Sequence, residues 1–500
     1  MRVEEGCAMY RSLIEVGQDL FKISSGIKCA QNSDITIVHP KVQHPASSGA
    51  EKNGPISFKE AKSIEKESGG SLYTREARFV EYKDDVYRVK NPFYSNYVAA
   101  EEVIMGSLFK MSGLDAPAML LCNNCEDFFS FNDKTRADFT AEAALSGFAC
   151  VASRLEPSYR DLGSFLLDAN VMEKLIGTSG FHESESSVNQ RLVQYEALVN
   201  THQESDRRLG EIYTKYPGNS HRVFPEVLAS VKKENLIKFD ALESLNKLLP
   251  PDLVEEQQKH FFASRLINNW DYLNFSFCNF GYFLPDASDE GQFKGMTVDF
   301  GGSGTLGFGG YSKTESFERA TQGARLENPL ESTSLFERSD STFSSDLPSS
   351  LTSISTIPRS RPLLSTVKDV IRKEAELYDV KGSALFEKNF GPALEVAYRM
   401  AVLPDEAVEK YLTDHWIMGA ADFPYRDKNN ENNLSVAQIS KVMKDRKEAF
   451  IGHFGFESIK RWEENNPLHA VKVRSEIEKN LGELVKGFSV SPISNRSHTV

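Results

Sequence analysis

Hydrophobic and polar positions follow two different periods in the N-terminal third of the chain. Apolar and polar residues alternate on both sides of a Lys-Asp-Asp turn at 83–85, and the second alternating run ends at Lys90. Alternation of this kind predicts a β-hairpin. Between Asn96 and Met111 the apolar residues instead recur three and four positions apart, and Gly113 follows. This spacing predicts a helix that stops before the glycine.

The rest of the pattern is mainly helical. An apolar run at 116–122 predicts a buried strand. The pattern over residues 146–166 predicts a strand, a turn and the start of a helix. Apolar residues return at helical spacing over 170–256 and 367–490. Between these helical parts, residues 314–366 are rich in Ser, Thr, Pro and Arg, a composition typical of a disordered loop.

These patterns predict an α+β protein, and a length of 500 residues exceeds one ordinary domain. We divide the chain into six parts: a flexible N-terminal arm at 1–55, a β-rich part at 56–150, a core at 151–313, the disordered loop at 314–366, a helical C-terminal part at 367–490 and a tail at 491–500.

Composition narrows the class of protein. A formal net charge of -13 and a pI of about 5.4 argue against a nucleic-acid partner, because phosphate contacts require a basic face. Six cysteines do not make a disulfide scaffold. Cys122 and Cys125 lack a second pair of ligands at metal spacing, which favours two ordinary thiols over a zinc site.

The chain contains no run approaching the roughly 20 apolar residues of a membrane-spanning helix. Its N-terminus carries early acidic residues and lacks the apolar core of a secretory signal. We therefore expect a cytoplasmic protein without a transmembrane segment.

Candidate catalytic groups lie between residues 260 and 310. Asp271 is followed by Asn274 and Asn279, and Asp299 follows an apolar run in the sequence Val-Asp-Phe-Gly. Two acids separated in this way suit phosphoryl transfer, in which one orients the attacking hydroxyl and the other binds Mg²⁺ together with an Asn. Mg²⁺ prefers a few hard oxygen ligands, so a carboxylate and an amide oxygen are sufficient protein ligands.

Candidate phosphate-binding groups precede them. Gly69 and Gly70, followed by Ser71, stand before the predicted hairpin and allow the backbone to lie close to a phosphate. Lys90 ends a strand, and Glu101 and Glu102 lie in the helix that follows. A strand lysine paired with a helix glutamate holds the α- and β-phosphates in kinases. Each signal alone is ordinary, and only their order along the chain favours nucleotide binding.

Taken together, these residues resemble the atypical kinase fold of HipA-like toxin kinases and phosphoinositide 3/4-kinase-like enzymes, over about residues 65–310. Several bacterial effector kinases that are injected into host cells share the same reduced pattern. The resemblance implies a bilobal fold with a small β-rich N-lobe and a larger, mainly helical C-lobe, joined by a hinge near 146–166. It implies ATP and Mg²⁺ as cofactors.

The resemblance also implies a role for each motif. Lys90 would bind phosphate with Glu101 or Glu102 as its partner, Asp271 would be the catalytic acid, and Asp299 would bind Mg²⁺. The second metal ligand stays open between Asn274, three residues after Asp271, and Asn279, eight residues after it. The position five residues after Asp271, where protein kinases have Asn, is a serine.

Several alternatives stay open. The phosphate acceptor is a protein hydroxyl or an inositol lipid, and the site of action is the cytoplasm or, for a secreted effector, a host cytosol with a host protein as activator. An AMP-transferase on the same fold, as in the selenoprotein-O type, is a second reading. A non-catalytic pseudokinase is a third, and a mixed α/β protein in which Asp271 and Asp299 are structural is a fourth.

Overall fold

A computed structural model describes residues 56–57, 62–64, 74–82, 85–92, 96–123, 150–156, 158–178, 185–216, 224–267, 269, 272, 277–284, 293–301, 303–304, 390–416, 435–485 and 487–493. The predicted arm at 1–55 and the predicted loop at 314–366 lie outside these residues. So do five of the predicted site residues, namely Gly69, Gly70, Ser71, Asp271 and Asn274. The boundaries of the six parts stay predictions.

In chain order the elements are β1 (Ile56–Ser57), β2 (Lys62–Ile64), β3 (Thr74–Tyr82), β4 (Asp85–Pro92), α1 (Asn96–Met111), β5 (Met119–Asn123), β6 (Cys150–Arg154), β7 (Tyr159–Asp161), α2 (Leu162–Leu167), α3 (Ala169–Thr178), α4 (Glu185–Lys215), α5 (Pro225–Asn246), α6 (Pro251–Leu266), β8 (Phe280–Phe283), β9 (Lys294–Thr297), α7 (Phe390–Val402), α8 (Asp405–His415), α9 (Val436–Phe454), α10 (Phe456–Asn465) and α11 (Pro467–Leu484).

The first sheet has six strands in the order β1-β5-β6-β4-β3-β2. Every neighbouring pair is antiparallel except the short β1 and β5. The predicted hairpin is confirmed as β3 and β4, which pair in regular register from Ala77 opposite Lys90 to Tyr82 opposite Asp85. On β4, Val89 is fully buried while Tyr87 and Lys90 are also shielded from solvent, so this strand lies in the middle of the sheet with both faces covered.

Helix α1 packs between this sheet and the C-terminal helices. The predicted helix from Asn96 to Met111 is confirmed at both ends. Gly113 follows at a φ of +84°, a left-handed conformation that a residue with a side chain rarely adopts, so the chain turns sharply here. A Cβ atom at this glycine would lie 2.7 Å from the Arg399 guanidinium and 2.8 Å from Ile477, which shows how closely α7 and α11 approach the end of α1.

The second sheet contains three antiparallel strands in the order β7-β8-β9. Before this sheet, Leu155 N donates to Val86 O of the first sheet (2.8 Å), and Ser158 O accepts from Leu284 N beside β8 (2.8 Å). The hinge predicted near 146–166 stays a prediction. Helix α6 packs against β9 and leads to the loop that returns the chain to β8.

The remaining helices form the larger part of the described chain. Helices α4 and α5 pair as a long antiparallel hairpin, and α7 to α11 pack around α1 and α6 in one hydrophobic core. The predicted α+β class is confirmed: a small, mostly antiparallel sheet precedes a larger helical part, as in the predicted bilobal kinase-like arrangement. Among the described residues, no helix is long and apolar enough to span a membrane.

Candidate functional site

Lys90 lies near the end of β4, with Ala77 of β3 and Val151 of β6 opposite it. Only 4% of its surface is exposed. An ammonium group buried to this extent needs an anionic partner, because removal from water penalises the charged form. The chain supplies two such partners, one on the helix that follows β4 and one 209 residues further along the sequence.

The first partner is Glu102 on α1, whose Oε1 lies 2.5 Å from Lys90 Nζ. The structure thereby decides which of the two glutamates pairs with Lys90, a choice that the sequence left open. Glu101 is equally buried but is turned toward the loop after β9, where a Cβ atom at Gly304 would lie 2.6 Å from Glu101 Oε1. Successive helical residues point about 100° apart, so only one of them can meet Lys90.

The second partner is Asp299, whose Oδ1 accepts a hydrogen bond from Lys90 Nζ at 2.7 Å across a separation of 209 residues. The same oxygen accepts from Gly301 N at 3.2 Å. Asp299 has a φ of +62°, in the left-handed region that few residues other than Gly, Asn and Asp adopt. Backbone held in this region costs free energy and is concentrated at functional sites.

Charge is distributed unequally over these three groups. Burial alone would lower the pKa of Lys90, but Asp299 and Glu102 outweigh it and raise that pKa. Burial alone would raise the pKa of Asp299, but Lys90 and Arg88 outweigh it and lower that pKa. For Glu102, burial dominates, the neighbouring Asp299 adds to it, and Lys90 compensates only in part, so the pKa rises to about 7. Asp299 is therefore the ionised carboxylate of the pair, and Glu102 titrates near neutral pH.

The loop after Asp299 approaches both glutamates closely. A Cβ atom at Gly301 would lie 3.2 Å from Glu102 Oε2 and 3.3 Å from Asp299 Oδ1. Gly304 has a φ of +72° and donates its N–H to Ile267 O at 2.7 Å. The glycine-rich sequence that follows Val-Asp-Phe-Gly thus permits a close approach of backbone to carboxylates that larger residues would prevent.

Asn279 is the one predicted metal-ligand Asn within the described residues. The backbone carbonyl of Asn279 accepts a hydrogen bond from Val298 N at 2.8 Å, so the Asn279 backbone lies beside the residue that precedes Asp299. Asn279 is 3% exposed. Asp271 and Asn274 lie outside the described residues, as do Gly69, Gly70 and Ser71. Within the described ranges, no group of three or more His, Cys, Asp or Glu side chains could hold a metal ion by itself.

Arg88 is a site residue that the sequence analysis missed. It stands two positions before Lys90 on β4, and side chains two apart along a strand share a face of the sheet. Its positive charge lowers the pKa of both Asp299 and Glu102. The alternation that predicted the strand could have placed Arg88 beside Lys90, but an arginine in a hairpin is too common to be selected from sequence.

No family model matches this chain, and no curated protein is similar to it in sequence. One solved structure to which it is similar is described as the crystal structure of a Helicobacter pylori proinflammatory kinase, CtkA. The two chains share 13% identity over 80% of this chain and 98% of the other, with a TM-score of 0.34. Because both the identity and the TM-score are low, this likeness does not establish a shared activity.

Proposed function

We propose that the chain is an ATP- and Mg²⁺-dependent phosphotransferase of the atypical kinase type, which transfers the γ-phosphoryl group of ATP to a hydroxyl of a protein or a lipid. The observation that carries this proposal is the contact of one buried lysine, Lys90, with both Glu102 and Asp299, at 2.5 and 2.7 Å. A strand lysine, a helix glutamate and an aspartate after a later strand are the groups that kinases use for the phosphates and the metal.

The oxygen atoms of the candidate site are suitable ligands for Mg²⁺. Asp299 is ionised and presents carboxylate oxygens, the hard ligands that Mg²⁺ prefers. Asn279, whose backbone carbonyl accepts from the N–H of Val298, is one candidate for the second ligand in this proposal, and Asn274 stays the alternative. Mg²⁺ is commonly held by one or two protein ligands together with substrate phosphates, so the lack of three clustered acids or histidines among the described residues is consistent with this ion. When bound, Mg²⁺ would neutralise charge on the phosphates of the nucleotide.

The cations suit phosphate. Lys90 and Arg88 share one face of β4, and two adjacent positive groups are a favourable environment for a polyphosphate. Lys90 is held in place by Glu102, so it loses little conformational freedom when it binds phosphate. In this proposal Gly69, Gly70 and Ser71 add backbone contacts to phosphate, and Asp271 orients the acceptor hydroxyl.

The test is transfer of label from γ-labelled ATP to a cell lysate in the presence of Mg²⁺. We expect labelled protein or lipid with the native chain and a loss of roughly a hundredfold to a thousandfold in Asp299→Asn, since the amide has the shape of the carboxylate without its charge. Asp414→Asn is the matched control, because Asp414 is half-exposed on α8 and pairs only with Lys410 among its described neighbours. This control should keep full activity.

The same assay with α-labelled ATP separates the alternatives. Label from the α-position without label from the γ-position would replace phosphate transfer by AMP transfer. Absence of label from both positions, in a lysate that supplies acceptors and activators, would contradict an enzymatic role. Secretion into a host cytosol and dependence on a host activator stay predictions from the sequence resemblance.

A further inference from the structure

We propose that His260, acting through Thr297, is a positioning residue that holds Asp299 in its left-handed conformation. His260 Nδ1 lies 2.8 Å from Thr297 Oγ1, and both residues are fully buried. Thr297 is the last residue of β9 and stands two positions before Asp299. A threonine hydroxyl both donates and accepts, so it can complete this hydrogen bond with either tautomer of the imidazole.

The imidazole also contacts the helix that carries Glu102. Its ring centroid lies 5.6 Å from that of Phe109 on α1 and 5.1 Å from that of Phe280 on β8. Phe109 in turn packs against Phe300, the residue after Asp299, at 5.3 Å. One side chain on α6 therefore contacts both the strand that leads to Asp299 and the helix that carries Glu102.

Helix α6 can approach β9 this closely because residue 295 is glycine. A Cβ atom there would lie 2.8 Å from Phe280 Cζ and 2.9 Å from Glu256 Cγ, distances shorter than real contacts allow. Glu256 Oε1 faces the other imidazole nitrogen at 3.6 Å, which is too long for a hydrogen bond and is an electrostatic contact. The imidazole is thus held between a hydroxyl on one side and a carboxylate on the other.

The position of His260 is fixed by ion pairs that its helix, α6, forms with α7. Lys259 pairs with Glu256 at 3.3 Å and with Glu395 of α7 at 3.2 Å. Glu395 pairs with Arg399 at 2.8 Å. The side chain that contacts Thr297 therefore belongs to a helix anchored by ion pairs to the buried Glu395, and a rigid support of this kind is what a costly backbone conformation requires.

Asp299 is held on its other side as well. Phe300 packs on Phe109, Ser303 N donates to Phe300 O at 3.0 Å, and Gly304 N donates to Ile267 O at 2.7 Å. If Thr297 loses its anchor, the strain at Asp299 can relax toward β9, and these contacts should open more often. The part of the proposal that concerns Mg²⁺ rests on the proposed function; the part that concerns the conformation of the loop does not.

The experiment compares Thr297→Val, which keeps the shape and removes the hydroxyl, with Thr297→Ser, which keeps the hydroxyl. The first measurement is hydrogen–deuterium exchange without ligand at the amides of Gly301, Ser303 and Gly304. We expect about fivefold faster exchange in Thr297→Val, the size expected of one buried hydrogen bond, and near-native exchange in Thr297→Ser. Equal exchange in the valine variant, the serine variant and the native chain would overturn the proposal.

Tyr282→Phe is the matched control. It removes another buried hydrogen bond to α6, from Tyr282 Oη to Leu253 O at 2.7 Å, and leaves the hydroxyl of Thr297 in place. We expect it to lower overall stability without faster exchange at Gly301, Ser303 and Gly304. Equal acceleration in this control would mean that any weakening of the α6 contact has the effect, and the specific role of His260 and Thr297 would be rejected.

The second measurement is calorimetric titration of Mg²⁺ in the presence of ATP. We expect Thr297→Val to raise the half-saturating Mg²⁺ concentration about fivefold, while Thr297→Ser and Tyr282→Phe leave it unchanged. A native chain that binds no Mg²⁺ with ATP would refute the proposed function, and the exchange measurement would still decide the positioning role. Normal Mg²⁺ binding in Thr297→Val together with normal exchange would refute the positioning role alone.

Discussion

Among the described residues, the cluster of buried charge at Lys90 and the cluster at Glu395 differ in how their charges are balanced. In the candidate site, one lysine contacts two carboxylates: Lys90 lies 2.5 Å from Glu102 and 2.7 Å from Asp299. In the helical part, one carboxylate contacts several cations: Glu395 forms ion pairs with Arg399 at 2.8 Å and with Lys259 at 3.2 Å, among others. Both clusters join elements that are far apart in sequence, so burial and long-range contact do not distinguish them.

The pKa values do distinguish them. Glu102 and Glu395 are 2% and 4% exposed, and burial alone raises the pKa of each. At Glu395, Arg399, His469 and Lys259 outweigh burial and hold the pKa far below its usual value. At Glu102, the cations Lys90 and Arg88 do not outweigh burial, and the pKa of Glu102 rises to about 7.

The comparison teaches that burial of a carboxylate does not by itself indicate function. The helical cluster satisfies its own charges, as a structural ion-pair network does. The cluster at Lys90 leaves one carboxylate poorly compensated, and groups with perturbed pKa values are concentrated at functional sites. This difference supports the proposed metal and phosphate site.

The strongest way to test the comparison is to remove the central cation of the helical cluster. Arg399→Met leaves the buried Glu395 and the partly buried Glu476 without the guanidinium that contacts both, and it also removes the donor to Ser112 O. We expect a loss of about 3–5 kcal/mol in the free energy of unfolding, because Glu395 stays buried after losing its closest cation and keeps only the weaker compensation of Lys259 and His469. Urea unfolding monitored by circular dichroism measures it, and a loss below about 1 kcal/mol would contradict the structural role assigned to this cluster.

A smaller effect is expected from removing the poorly compensated charge. The pKa of Glu102 is higher in the folded chain than its usual value, so its contribution to stability is full below pH 4.5 and is lost as the pH rises through about 7. The glutamine in Glu102→Gln cannot ionise, so this variant should not lose stability as the pH rises through about 7. The variant should gain stability relative to the native chain between pH 5 and pH 8, by at most roughly 3 kcal/mol.

Unfolding curves at several pH values measure this difference. The matched variant is Glu101→Gln, which changes the neighbouring buried glutamate that is not paired with Lys90. A similar pH-dependent gain in both variants would show that the effect is not specific to the Lys90 contact.

The smallest expected change in stability comes from removing the lysine itself. Lys90→Met leaves two carboxylates together, but Glu102 already titrates near neutral pH and can take up a proton. At pH 6 we therefore expect a loss of about 1–2 kcal/mol, less than for Arg399→Met, because protonation removes most of the repulsion. Unfolding of the two variants side by side at pH 6 decides this, and equal losses would mean that the two clusters are equivalent.

Local patterns allowed the framework of the fold to be predicted from the sequence. The hairpin of β3 and β4 and the helix α1 follow from periods of two and of 3.6 residues, and these are properties of neighbouring positions. The order in which Lys90, the two glutamates and Asp299 occur could also be read directly. That order was sufficient to suggest phosphoryl transfer, because kinases place these groups in the same succession.

The contacts that define the site could not be predicted in this way. Adjacent glutamates have nearly identical sequence surroundings, and only the packing of α1 against β4 decides that Glu102 rather than Glu101 meets Lys90. His260 contacts Thr297 across 37 residues, and a histidine in a helix has no local feature that identifies its partner.

The sequence by itself therefore determined the α+β class, the principal strands and helices of the N-terminal part and the identity of the candidate charged groups. Tertiary structure decided which of those groups meet, the left-handed conformation of Asp299 and the unequal pKa values of two similarly buried glutamates. The physical reason is range: periodicity and turn chemistry act between near neighbours, whereas Lys90 and Asp299 are 209 positions apart and their interaction depends on how the whole chain packs.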